Sequence, residues 1–440
     1  MFKRLSYIFI LLACWQVSYS QIVFRSLEDV WKYADNNNIT IKTMKYELDK
    51  SVYAKKQAYS ALLPQATATG SYTDNIALQT TLLPASLLGG PPGTYKTLQF
   101  GEQFVYSGGI NAQMNILNLQ NVYNVRIAQQ TQEMNKDSLA STRKFVYQQL
   151  ATQFYSYLLM QEASTLADQT ALIADSTYQS ANNKFKEGTA NEASVDLAKL
   201  NLERAQQSQI TARYQMITSR NSLKGLLGFS VSDSLFINAS LNASLNIDAA
   251  EAFTEDLSLK LSLWRAKISL SQYHLSNSAF LPTINILYNY ATQRYDKTFE
   301  PFSGATGVAG WFPSQYWSLQ ASFPIFTSGS RYFQSKRSKI NYEESMAQYE
   351  NAQKQSGIND ENIRLNYQRA LSVLGKTQDV MNLSLDNYRH ISYRYEAGLS
   401  PLDDRLNAFQ NYIDYQNQYL NSLSDMLVQL YQVKIRQQSF

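Results

Sequence analysis

At 440 residues, with 44% hydrophobic and 17% charged positions, the chain has the composition of a folded protein long enough for two or three domains. Its net charge of +4 is small for that length and no dense Lys/Arg block is present, which argues against a nucleic-acid partner. Two widely separated histidines, His274 and His390, a single cysteine and no HExxH, GxSxG or P-loop pattern leave no catalytic constellation and no metal-ligand set. Each histidine reads as a surface residue on a helix.

The chain begins with Lys3 and Arg4, the apolar run LSYIFILLACW and then VSYS before Gln21, the order of a secretory signal peptide over residues 1–20. The run is too short to span a bilayer. Cleavage after Ser20 leaves a mature chain without a thiol; the alternative is lipoprotein-type processing at Cys14, although Leu12 is unusual two residues before such a cysteine. No later run approaches the roughly 18–20 apolar residues of a membrane helix.

After a short helix, QATATGSYT alternates with period two, and the spacing predicts a strand at about 65–74. GINAQMNIL sets Ile110, Ala112, Met114 and Ile116 against Asn111, Gln113 and Asn115, predicting a second strand at about 108–117. Then follows an interval without Gly or Pro, rich in Gln, Ala, Leu and Lys, which predicts one helix over about 120–186, a rod of roughly 100 Å. Leu139, Val146, Leu150, Phe154 and Leu158 form a coiled-coil-like seam on it. The many Gln, Asn, Ser and Thr elsewhere fit either a polar exterior or a side facing an aqueous interior. KFKEGTANEASVDL breaks the rod at Gly188, and a helix follows over 189–224.

A linker at 229–250 leads to the same order again: a helix, strands at about 283–292 and 315–326, a long helix at about 329–396, and a break at RYEAGLSPLDDRL before a helix over 401–436. Gly357 and Gly375 weaken the second rod by about 1 kcal/mol each relative to Ala. Leu63 and Pro64 answer Leu281 and Pro282, and Gly188 answers Gly398, so residues 21–228 and 251–440 read as two repeats. At each break the glycine suits a left-handed cap. Ser400 is then expected as N-cap with Pro401 at N1 and Asp403 at N3, and Thr189 and Glu192 serve the same purpose in the first repeat.

Strands of about ten residues, apolar on one face and amide- or hydroxyl-rich on the other, suit a transmembrane barrel, with a half-buried soluble sheet as the competing account. Trp311, Phe312, Tyr316 and Trp317 cluster as an interfacial aromatic belt would. Lys336, Arg337 and Lys339 fit a solvated helix face or a contact with lipid headgroups. Four strands are fewer than the eight of the smallest closed membrane barrels, and open edges in lipid are prohibitive. A membrane-embedded chain of this kind must oligomerise.

The duplicated Leu-Pro strand junctions, the paired long helices and the turn sequences FKEGTANEASVDLAKLNLERAQ and YEAGLSPLDDRLNAFQNYIDYQ resemble those of TolC-type outer membrane efflux proteins. The likeness spans essentially the whole mature chain, and the loop LLPASLLGGPPGTYKTLQFGEQF looks like that of Bacteroidetes members. The resemblance implies a mainly α protein with membrane β: a two-repeat protomer whose helices form a periplasmic tunnel and whose four strands join a trimeric barrel of twelve. It implies a passive duct in the outer membrane of a Gram-negative bacterium with a large periplasmic portion. It further implies a homotrimer in outer membrane lipid and, as partners, a periplasmic adaptor (membrane fusion) protein and an inner-membrane pump of resistance-nodulation-division or ABC type, with no cofactor and no nucleic acid.

On the same grounds, Gly188, Thr189, Gly398, Leu399 and Ser400 are expected at adaptor-docking tips, and Tyr395 and Asp404 match the family's tunnel-mouth tyrosine and first tip aspartate. Asn407 stands where a second aspartate is usual, Ser400 where an arginine is, and Ser194 where the first hairpin has an aspartate. A locking network at the mouth is therefore expected to be weaker or differently wired. Asp403 and Asp404 admit two accounts, a ring of carboxylates or charge at a helix N-terminus. An exported coiled-coil structural or adhesive protein explains the rods but not the four symmetric strands.

Overall fold

The computed structural model describes residues 22–241, 252–299 and 310–438. The expected signal peptide, Cys14 and linker residues 242–250 lie outside the described residues. In chain order the elements are β1 (Ile22–Phe24), α1 (Leu27–Asn37), α2 (Ile39–Ser60), β2 (Gln65–Asp74), β3 (Thr80–Pro84), β4 (Tyr95–Gln99), β5 (Phe104–Leu117), α3 (Leu119–Lys186), α4 (Glu192–Leu227), β6 (Leu235–Ile237), α5 (Leu257–Ser278), β7 (Thr283–Asp296), β8 (Phe312–Ser322), α6 (Ser330–Glu396) and α7 (Leu402–Gln437). None of the described helices is long and apolar enough to cross a membrane.

The residues fall into two compact units that cut across both repeats. One draws on the chain up to Leu48, Asn135–Leu261 and the chain from Glu350; the other comprises Asp49–Met134 and Ser262–Tyr349. The long helices contribute to both because nothing in them interrupts the backbone ladder. α3 runs 68 residues without Gly or Pro, and α6 runs 67 residues straight through Gly357 and Gly375.

The first unit is helical. Leu150, Phe154 and Leu158 of α3 pack with Leu223 and Leu227 of α4, Leu374 of α6, and Leu427 and Leu430 of α7 in one continuous core. The seam read from the sequence is therefore a shared interface of four helices. Trp31 of α1 stacks on Tyr147 with ring centroids 4.8 Å apart and donates its indole N–H to the Tyr147 carbonyl. β1 pairs in parallel with β6, so the start of the described chain is stitched to the segment that follows the first repeat. Arg436, nearly fully buried, donates to both carboxylate oxygens of Asp360 at 2.7 and 3.0 Å and to the Thr254 carbonyl.

The second unit is built on a four-stranded antiparallel sheet ordered β2-β5-β7-β8. The central pair joins the second strand of the first repeat to the first strand of the second repeat. β8 stops at Ser322, short of the expected residue 326, because Pro324 has no amide hydrogen to give the ladder. The segment between β2 and β5, for which the sequence predicts only a loop, contains its own hairpin, β3 paired with β4. The signal was present: Gly89, Gly90, Pro91, Pro92 and Gly93 punctuate two short β-prone runs.

Candidate functional site

Opposed residues in neighbouring strands share a face, so the register sorts the side chains of the sheet. On one face Ala112, Tyr288 and Trp317 lie in a row, next to a row of Met114, Ile286 and Leu319. Trp317 and Leu319 are 72% and 60% exposed, so this is an uncovered apolar face. On the other face Thr67, Asn111, Asn289 and Tyr316 form a row, with Gln65, Gln113 and Ser318 beside it and Leu287 as the apolar exception. The Asn289 amide donates to the Asn111 side-chain carbonyl, and the Ser71 and Ser107 hydroxyls meet at 2.6 Å. One face can thus meet hydrocarbon while the other holds water.

The same alternation divides the aromatic cluster. Tyr316 and Phe312 point to the polar face and Trp317 to the apolar one, with Trp311 just before the strand. Sequence proximity grouped them; the pleat separates them. β2 and β8 each have one strand neighbour in this sheet, leaving an open edge on both sides among the described residues.

The helical turns are the second locus. Gly188 and Gly398 adopt φ of +74° and +72°. Thr189 N–H donates to the Lys184 carbonyl at 2.8 Å and Gly188 N–H to that of Phe185 at 2.9 Å; Leu399 and Gly398 repeat the pattern to Arg394 and Tyr395. These are Schellman closures, which satisfy the last carbonyls of α3 and α6 and require the left-handed glycine. The expected N-caps are displaced. Asn191 caps α4, accepting from Ser194 N–H at 2.9 Å. Thr189 instead turns back, its hydroxyl donating to the Lys184 carbonyl at 2.9 Å. Pro401 occupies the cap position of α7 with extended backbone and no side-chain acceptor, so Ser400 sits one residue too early to reach the first-turn amides. Its hydroxyl points to the Ile391 carbonyl at 3.5 Å. Asp403 and Asp404 both fall in the first turn of α7.

Tyr395 joins the two turns. It is 9% exposed and packs with Ala181 of α3, Ala198 of α4 and Leu402 of α7. The Lys184 ammonium lies 4.2 Å from its ring centroid and the Arg405 guanidinium 5.2 Å. A tyrosine of the second hairpin is thus held between a cation of the first hairpin and one of its own. The turn sequence marks the tyrosine but neither cation. Lys184 lies four residues before Gly188, but nothing local to it announces a partner in the other repeat.

Asp403 and Asn407 line a groove of about 640 Å³ between α4 and α7, with Arg204 and Asn201 on its opposite wall. Asp404 does not line it. The two aspartates therefore differ in surroundings: one faces the first hairpin, while the other is exposed elsewhere on the first turn of α7.

Solved structures with the same architecture are at hand. VceC of Vibrio cholerae superposes with a TM-score of 0.72 at 15% identity, covering 92% of this chain and 95% of that one. The CmeC outer membrane channel of Campylobacter jejuni gives 0.70 at 18%, covering 93% and 85%. The open-state MtrE outer membrane channel of Neisseria gonorrhoeae gives 0.71 at 16%, covering 92% and 88%. Comparison with curated protein sequences returned no match. These identities establish a shared fold. A sequence profile described as outer membrane efflux protein matches residues 31–229 and 249–434, nearly the whole described chain. By that match, on two repeats that each supply two strands and a long helical hairpin, the chain belongs to the outer membrane efflux protein family.

Proposed function

We propose that the protein is the outer-membrane exit duct of a tripartite efflux or type I secretion assembly. The observation that carries the reading is the sheet with one apolar face, one amide-lined face and two open edges. In lipid, unpaired edge amides cost several kcal/mol each, so the edges must close on other copies of the chain. Three copies of four strands give a barrel of twelve with the Asn111 and Asn289 face toward water. The long helices then extend into the periplasm as a tunnel, and the turns at Gly188 and Gly398, with Thr189, Leu399 and Ser400, meet a periplasmic adaptor coupled to a pump of resistance-nodulation-division or ABC type. The duct is passive, and the pump supplies the energy. Tyr395, Asp403, Asp404 and Asn407 are the candidates for the narrow mouth.

The test is reconstitution. A trimer released from membranes only by detergent, conducting ions in planar bilayers, is the expected result. A monomer recovered in the soluble periplasmic fraction, or one that never conducts, overturns the reading in favour of an exported coiled-coil protein.

A further inference from the structure

We propose that the protein carries a binding collar for anionic phospholipid at the helix side of its sheet, built by α2 and α6. The proposal rests on the outer-membrane reading above. α6 leaves the end of β8. Just before it, Phe323, Ile325 and Phe326 are 63%, 91% and 85% exposed, and its first turn presents Tyr332 and Phe333 to solvent. Lys336 and Arg337 follow, both exposed, then Lys339, which pairs with Glu343 at 3.3 Å. Helical spacing puts Tyr332, Lys336 and Lys339 on one flank and Phe333 and Arg337 beside it, whereas Ser335 turns inward to bond Asn277 of α5 at 2.6 Å.

α2 enters β2 and shows the same order in reverse. Moving away from the sheet come Leu63 and Tyr59, 60% and 45% exposed, then Lys56 and Lys55, then Tyr53, 68% exposed, Lys50 and Asp49. On α6 Lys336 lies 5.5 Å from the ring of Tyr332, which is on its sheet side, whereas on α2 Lys56 lies 5.2 Å from the ring of Tyr53, which is on the side away from the sheet. The spacings coincide. The cations stand three or four residues beyond the aromatic, about 5–6 Å along the axis, and the first carboxylate stands ten beyond, about 15 Å. A bilayer with a core of about 30 Å within a total of about 40–45 Å has a headgroup layer of about 5–8 Å on each side. With Leu63, Tyr59, Tyr332 and Phe333 at the edge of the hydrocarbon, this spacing sets the paired cations among phosphates and the carboxylates in water.

The other two helices that join the sheet lack the paired cations. α3 repeats the spacing with Tyr123, Arg126 and Glu133 but offers only that one cation within its first two turns, and the nearest lysine on α5, Lys267, is more than three turns from Phe280. The collar is thus confined to the helices next to β2 and β8, the two open edges. When edges close between copies, Lys336 and Arg337 of one copy meet Lys55 and Lys56 of the next, so each seam between subunits holds four cations facing phosphate.

The experiment uses the full-length protein in nanodiscs of phosphatidylcholine with or without phosphatidylglycerol, and counts retained lipid by native mass spectrometry. The wild type is expected to retain phosphatidylglycerol over phosphatidylcholine, by about fivefold for each cation in contact with headgroups, with the preference weakening between 50 mM and 500 mM salt. Lys336→Ala/Arg337→Ala should lower it by roughly 30-fold, and Lys55→Ala/Lys56→Ala comparably. Millimolar inorganic phosphate should not compete, because it lacks the acyl chains that the aromatics hold. Variants that insert and conduct with undiminished preference overturn the lipid collar alone, and so does displacement of the lipid by free phosphate. A wild type that neither inserts nor conducts overturns the outer-membrane reading and the collar with it.

Discussion

Removing the ring of Tyr395 tests whether the two helical turns are held together as the geometry indicates. Truncating a buried aromatic to alanine costs about 3–5 kcal/mol in a full core. Here the surrounding cluster is small, consisting of Ala181, Ala198 and Leu402 with Tyr178 and Leu406 beside them, so the lower figure applies. The flanking Lys184 and Arg405 contacts are half-exposed and worth about 0.5–1 kcal/mol each. A local loss of about 3 kcal/mol multiplies the population of separated turns by roughly 100, at 1.4 kcal/mol per decade. Amide hydrogen exchange over residues 394–402 of Tyr395→Ala should therefore accelerate about 100-fold, while exchange in the core around Leu150 and Leu430 stays unchanged. Tyr395→Phe keeps the ring and should remain near the wild type, and Lys184→Met should fall between, at several-fold. In planar bilayers the Ala variant should also open more readily. Exchange at the turns that is the same in Tyr395→Ala and the wild type would refute the reasoning.

Gly398→Ala places a Cβ in open space but at φ +72°, so the cost is purely conformational, about 1–2 kcal/mol, and should appear as faster exchange at the end of α6. Arg436→Met leaves Asp360 and the Thr254 carbonyl without their donor and should destabilise by about 3–5 kcal/mol in thermal or chemical unfolding, whereas the double change with Asp360→Leu recovers part of the loss. Burial pushes the carboxyls of Glu28 and Asp256 up, yet the hydrogen bond from Lys434 to the first and those from Ser356 and Ser258 to the second outweigh it, leaving both below their ordinary values of 4.5 and 3.8. Such groups stabilise the fold above those values and release that stability as pH falls through the lower folded ones. Stability should therefore be level from neutrality to about pH 5 and decline below about pH 4, less steeply in Asp256→Asn. Asp404→Ala should alter conductance or cation block of the reconstituted pore, and unchanged behaviour would remove it from the mouth.

Much of the fold is legible because it is written locally. The absence of Gly and Pro from α3 and the glycines that end both rods are short-range signals, and period two marks β2, β5, β7 and β8. Where reading failed, it failed by small displacements or by overlooking weak elements. Ser400 stands one residue and Thr189 two residues before the caps the sequence predicts them to be, because Pro401 and Asn191 hold those positions. The β3–β4 hairpin leaves only a weak periodic signal because each strand has only five residues.

The sequence by itself determined which residues form the rods, the turns that end them and the four long strands, and which side of each of those strands is polar, since periodicity is a property of neighbours in the chain. Only the tertiary structure decided that β5 lies against β7, that Asn289 opposes Asn111, that Tyr316 and Trp317 part to opposite faces in register with Asn289 and Tyr288, and that Lys184 covers Tyr395. These are contacts between distant segments. Many registers satisfy the same alternation, and one is selected only when shared burial and hydrogen bonding exceed the entropy of closing the long loops between them.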